Sequence, residues 1–165
     1  MKGLAAREVA RGYALAGHRD DSRRALDAAM GWLAQPVTED DTLLGQRSVV
    51  ADDLFAVYQT TCDVDLGRGT RFVTVVEPRL ESLARISFRT ATITRATLVR
   101  AYANAGQPEQ ACRVAWEALD ATEQVGSQSA RSALRRAVPV LNRWHGRSDV
   151  QDVLHRLSIG HSPTT

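Results

Sequence analysis

His18, the histidine with acids nearest it, lies beside Asp20 and Asp21 and reads first as a surface histidine in a turn, although imidazole is the usual general acid or base. Arg11 precedes it by seven positions, an arginine–histidine spacing of the kind a nuclease could use. His145, His155 and His161 are scattered near the C-terminus and form no set with these residues. Cys62 and Cys112 stand alone, with neither CxxC nor HxxxH spacing, so they cannot complete a zinc site and read as two small buried hydrophobes. Ser127 and Ser129 have no nearby histidine, and Gly67-Arg68-Gly69 is a turn rather than a phosphate-binding loop. A complete nucleophile, base and orienter does not assemble from these positions, so the chain is expected to be non-catalytic, without a cofactor or a metal.

Arginine is the other residue type with chemistry to offer. Lys2 is the only lysine among 21 basic residues; the other 20 are arginines, which favour bidentate contacts with carboxylate or phosphate. The 19 acidic residues bring the net charge to only +2, so overall charge does not argue for nucleic-acid binding, and no direct nucleic-acid contact is expected. The richest local cluster is Arg131, Arg135, Arg136 and Arg143. It could touch phosphates, but it reads first as the solvated outer face of a terminal helix.

Something must position these groups, and the patterning calls for helices. The 165 residues suit one domain or one compact repeat array. Apolar residues make up 44%, aromatics only 5%, and 24 residues are alanine, a composition for close helix–helix packing. No stretch approaches the roughly 20 apolar residues of a membrane span. The first residues lack the apolar core of a signal peptide, so a cytoplasmic protein is expected.

Apolar stripes at helical period run through residues 3–17 and again to about 34, with Gly17 at the break. Residues 35–47 read as a loop, stopped by Pro36 and followed by acids. Helices are predicted from about Val49 to Leu66 and from Thr70 to Leu83, where Pro78 must kink the helix or shift its start. Phe72 to Val76 is β-branched enough for a strand, but no partner strand is visible and both neighbours are helical. Ala91–Ala105 and Glu109–Glu123 form the clearest helix pair, with Pro108 at a first helical position. Two further helices run from about Gln128 to Trp144 and from Ser148 to about Leu157, and residues 159–165 form a flexible tail. The size of Trp116 and Trp144 places both in the core by default.

Gly12-Tyr13-Ala14-Leu15-Ala16-Gly17 matches Ala101-Tyr102-Ala103-Asn104-Ala105-Gly106, and small residues follow at matched offsets, Ser22 or Ala111 and then Ala29 or Ala118. This pattern resembles the tetratricopeptide repeat (TPR), a 34-residue helical hairpin. The middle unit, turning at Gly67, is degenerate, with Asp63, Phe72 and Arg79 at the motif positions. The run from Ala101 to Cys112, with Ala118-Leu119, Gly126-Ser127 and an arginine-rich helix, is similar to the C-terminal repeat region of actinobacterial Xre-type helix-turn-helix regulators. No segment resembles the DNA-binding part of those regulators.

The resemblance implies an all-α, TPR-like right-handed array of about three helical hairpins (3–34, 48–84 and 88–124) plus a C-terminal capping helix pair (127–158). It implies a binding and oligomerising module, the ligand- or partner-sensing part of a bacterial transcriptional regulator. Carried onto this chain, the family's groove positions include Arg7, Arg11, Leu15, Val57, Thr61, Ile93, Arg100 and Asn104. The arginines and Asn104 would be donors for a carboxylate-bearing peptide or small acid. They could equally be solvated or pair with neighbouring acids such as Glu8. A homodimer is expected, since an array end exposes apolar residues that Trp32, Leu43-Leu44 or another copy could cover. The alternative is a stand-alone adaptor for a protein partner. A more distant one is a HEPN-type ribonuclease, whose arginine–histidine spacing Arg11 and His18 resemble, although Gly12 replaces the usual polar residue.

Overall fold

A computed structural model describes residues 2–33 and 52–159, and every described element is helical. The predicted loop at residues 35–47, including Leu43-Leu44, and the tail beyond Ile159 lie outside the described residues. The chain divides into two compact units, Met1–Gly67 and Arg68–Thr165.

In the first unit α1 (Lys2–Leu15) packs against α2 (Arg19–Leu33) and α3 (Asp52–Asp65). Its core is narrow, made of Ala10, Ala14 and Cys62 with Ala25, Leu26 and Leu66 around them. Alanine is what permits the close approach. The hydroxyl of Ser22 on α2 uses that proximity to donate to the Ala10 carbonyl at 2.8 Å. Tyr13 is not buried as its match Tyr102 is; it is 41% exposed and meets the His18 ring edge-on at 6.3 Å.

In the second unit α4 (Thr70–Val76), α5 (Leu80–Ile86), α7 (Pro108–Val125) and α8 (Gln128–Leu141) all pack on the central α6 (Phe88–Asn104). α9 (Ser148–Ile159) closes against α7 and α8. Because neighbours surround α6, its buried residues span most of its circumference. Thr92, which stands in that interior, satisfies its hydroxyl on the Phe88 carbonyl at 2.8 Å. Phe72, Leu83, Leu98, Leu134, Leu141, Val150 and Val153 fill the rest of the core.

Pro78 neither kinks a continuous helix nor shifts its start. A 3₁₀ turn, Glu77–Arg79, takes the proline and splits the predicted helix into α4 and α5. Phe72 to Val76 is helical, as its neighbours dictate. Pro139 is accommodated near the end of α8, which tightens into a 3₁₀ turn at Asn142–Trp144.

Gly17, Gly67 and Gly106 all adopt positive φ, at +79°, +80° and +74°. At the first and third, the amide after the glycine reaches back to the tyrosine carbonyl, His18 to Tyr13 at 2.9 Å and Gln107 to Tyr102 at 3.0 Å. This bond closes a Schellman-type cap, and the matched sequences build matched turns. No described helix is long and apolar enough to cross a membrane.

Candidate binding faces

The eight predicted groove residues fall in both units, and each is placed within its own. In the first unit, Arg7 and Arg11 lie one helical turn apart on α1, and Tyr58, Thr61 and Asp65 share a stripe of α3. The Arg7 guanidinium stands over the Tyr58 ring, 4.2 Å from its centre, and also pairs with Glu8. The Arg11 Nε donates to Asp65 Oδ2 at 3.1 Å. Contacts thus advance along α1 and α3 together, so the two helices run in the same direction. Both arginines keep part of their surface in solvent, with side chains 25% and 31% exposed, while the Asp65 side chain is fully buried.

Thr61 spends its hydroxyl proton on the Val57 carbonyl at 2.6 Å, and Val57 is buried. Leu15 is 55% exposed. The face therefore presents two oriented guanidiniums beside an aromatic ring. Such a surface can grip a carboxylate, because the aromatic ring and the buried acid fix the arginines before a ligand arrives.

In the second unit Ile93, Arg100 and Asn104 all lie on α6. Ile93 and Asn104 are half-buried, and Arg100 is only 8% exposed, with interactions of its own. Arg100 is thus enclosed in the folded chain and does not present its guanidinium to solvent as Arg7 and Arg11 do.

A polar cluster that sequence reasoning missed joins α6, α7 and the 3₁₀ turn at Glu77. Tyr102 is almost wholly buried, and burial pushes its hydroxyl up to about 12, helped by its hydrogen bond to the Glu77 carboxylate. Arg113 lies 2.9 Å from Glu117 and 3.5 Å from Glu77, and Arg95 Nε lies 3.6 Å from Glu117. Only the Arg113–Glu117 pair, spaced by four on one helix, left a signal in the sequence. Arg113 bridges the two acids and Arg95 adds a longer ion pair, its Nε making no hydrogen bond among the described residues, so this cluster acts as a clasp. A second clasp holds the C-terminal helices: Arg147 bridges Glu109 on α7 and Asp149 at the start of α9, both at 3.0 Å.

The residues first considered for catalysis are engaged elsewhere. His18 faces Tyr13 and, at 3.8 Å, Asp21, while Arg11 is held by Asp65. Ser127 is fully buried and caps α8 by accepting from the Ala130 amide at 3.3 Å. Cys62 and Cys112 are buried free thiols, and burial raises both, Cys112 to about 11. His145 Nδ1 lies 3.0 Å from the Asn142 carbonyl, and His155 is exposed. Among the described residues no three His, Cys, Asp or Glu side chains are grouped to hold a metal ion. Trp116 is not a core residue: it falls on the stripe of α7 shared by Arg113, Glu117 and Asp120, and is 41% exposed. Trp144 is half-buried, its indole nitrogen without a hydrogen-bond partner among the described residues.

Compared with family models, curated proteins and solved structures, the chain gives no match.

Proposed function

We propose that this chain is a non-catalytic, TPR-like binding module that takes a carboxylate-bearing peptide or small acid on the face formed by α1 and α3. The observation that carries this reading is the placement of Arg7 over Tyr58, one turn from Arg11 anchored on Asp65. The two cations are part-exposed, oriented and close together, which lowers the ordering cost of gripping an anionic group. The resemblance of Ala101–Cys112 to Xre-type regulators makes the partner-sensing part of a bacterial transcriptional regulator the preferred setting. A stand-alone adaptor would use the same face.

Native mass spectrometry of the protein purified gently from its host tests the proposal. The expected spectrum carries an extra acidic mass that Arg7→Ala loses while remaining folded. A bare chain, or an extra mass that Arg7→Ala retains in full, overturns it. The same spectrum addresses the second reading, homodimerisation, which the exposed Val9, Tyr13 and Leu15 of α1 favour.

A further inference from the structure

The outer face of α8 carries a different chemistry. The helix contains no acidic residue, and Ala130, Ala133, Leu134, Ala137 and Leu141 commit its apolar side to the core. Arg131, Arg135, Arg136 and, just beyond, Arg143 are all exposed. At about 100° per residue Arg131, Arg135 and Arg136 share one side of α8 with Gln128, Ser132 and Pro139, and Arg143 follows in the 3₁₀ turn Asn142–Trp144. From Arg131 to Arg143 this strip is roughly 18 Å long at helical rise.

Three of these arginines, Arg131, Arg135 and Arg143, make no ion pair or side-chain hydrogen bond among the described residues; Arg136 has interactions of its own. Two of the acids on the packed neighbours are already taken. Glu123 on α7 pairs with Arg156, and Asp149 pairs with Arg147. Asp120 on α7 and Asp152 on α9 remain exposed. Arg131, Arg135 and Arg143 therefore stand as a cationic strip with no ion pair among the described residues, although the whole chain is nearly neutral.

We propose that this strip binds the phosphate backbone of nucleic acid, as a sequence-independent contact. The surface lacks what the competing occupants need. Interfacial membrane helices bury large apolar side chains, and α8 exposes only Pro139. Protein interfaces are anchored by aromatic or large aliphatic residues at their centre, and here Pro139 alone is exposed, with Val138 and Val140 half-buried beside it. Arginines interleaved with serine and carboxamide side chains match a repeating array of phosphate oxygens, which duplex DNA presents at about one charge per 1.7 Å of axis.

Fluorescence anisotropy of the full chain against a labelled random-sequence DNA duplex tests the proposal, with acid-rich peptide and phosphatidylserine vesicles as competitors. Three phosphate contacts predict that log K falls with log salt at a slope of about −2.7, so affinity drops roughly 40-fold from about 50 to 200 mM salt. The variant carrying Arg131→Ala, Arg135→Ala and Arg143→Ala should lose at least about tenfold in affinity and most of that slope, and Arg135→Ala alone should lower the slope by about one. Arg7→Ala should bind the duplex unchanged, which separates this strip from the carboxylate face. No binding at about 50 mM salt, equal binding by the triple variant, or preferential binding to the peptide or the vesicles overturns the proposal.

Discussion

Arg11 on α1 holds Asp65 on α3 at 3.1 Å, and the acid it holds is completely buried while the arginine is not. Removing the cation would leave a carboxylate in the interior without that counter-charge. Asp65 keeps other interactions, so Arg11→Ala should cost about 2–3 kcal/mol, below the full penalty for orphaning a buried charge. Arg7→Ala removes a part-exposed cation–π contact and a surface pair, and should cost less than about 1 kcal/mol. Urea unfolding of both variants checks the order. Equal losses would mean that the Arg11–Asp65 pair does not hold α1 against α3.

Gly69 makes a different demand from the turn glycines. A Cβ at this position would run into the backbone carbonyl of Ala101, where α4 begins against α6. Backbone cannot step aside as a flexible side chain can. Gly69→Ala should therefore destabilise by about 2 kcal/mol or more. Gly17→Ala, at φ +79° in open space, should cost only about 1 kcal/mol of conformational strain. Thermal unfolding of the two variants measures the difference, and a larger loss at Gly17 would contradict the close approach at Gly69.

Much of the helical order was legible because it is local. The match between Gly12–Gly17 and Ala101–Gly106 predicts two turns of one type, and both use the same backward hydrogen bond to a tyrosine carbonyl. Pro108 and Ser127 stand at the helix starts their chemistry favours. What the sequence did not reveal depends on register between helices. Trp116 looked like core by size, but its neighbours on the helical stripe are Arg113 and Asp120, and the stripe faces water. Gly69 read as part of a turn, because its constraint comes from Ala101, far along the chain. Arg7, Arg11 and Arg100 looked alike as groove donors; only the packing separates two part-exposed arginines from an enclosed one. Tyr102 and Glu77 meet across elements, and no spacing rule announces such a pair.

The Tyr102 hydroxyl makes stability depend on alkaline pH. Burial, then the hydrogen bond to Glu77, raises it from 10.0 to about 12 in the folded chain. The folded state thus favours the protonated phenol. Its contribution is fully present below pH 10 and is lost as pH rises through about 12. Unfolding free energy followed by denaturant across that window should decline, and Tyr102→Phe should remove the part of the slope that belongs to this group. An unchanged slope in the variant would show that Tyr102 is not held as the neutral form.

Both thiols should be silent until the chain opens. Cys62 and Cys112 are buried, and desolvation raises each, Cys112 to about 11 from an ordinary 9.0. Only the thiolate attacks an alkylating reagent, so burial blocks approach and burial-driven protonation removes the nucleophile. At pH 8 the native protein should react with iodoacetamide orders of magnitude more slowly than the urea-unfolded chain, and Arg11→Ala should speed labelling of Cys62 more than of Cys112. That asymmetry follows from place: Cys62 packs with Ala10 and Ala14 in the core between α1 and α3, the contact that Arg11 and Asp65 hold. Labelling resolved by peptide mass gives each rate separately. Equal acceleration of the two cysteines would mean that the variant opens the whole chain rather than the α1–α3 contact.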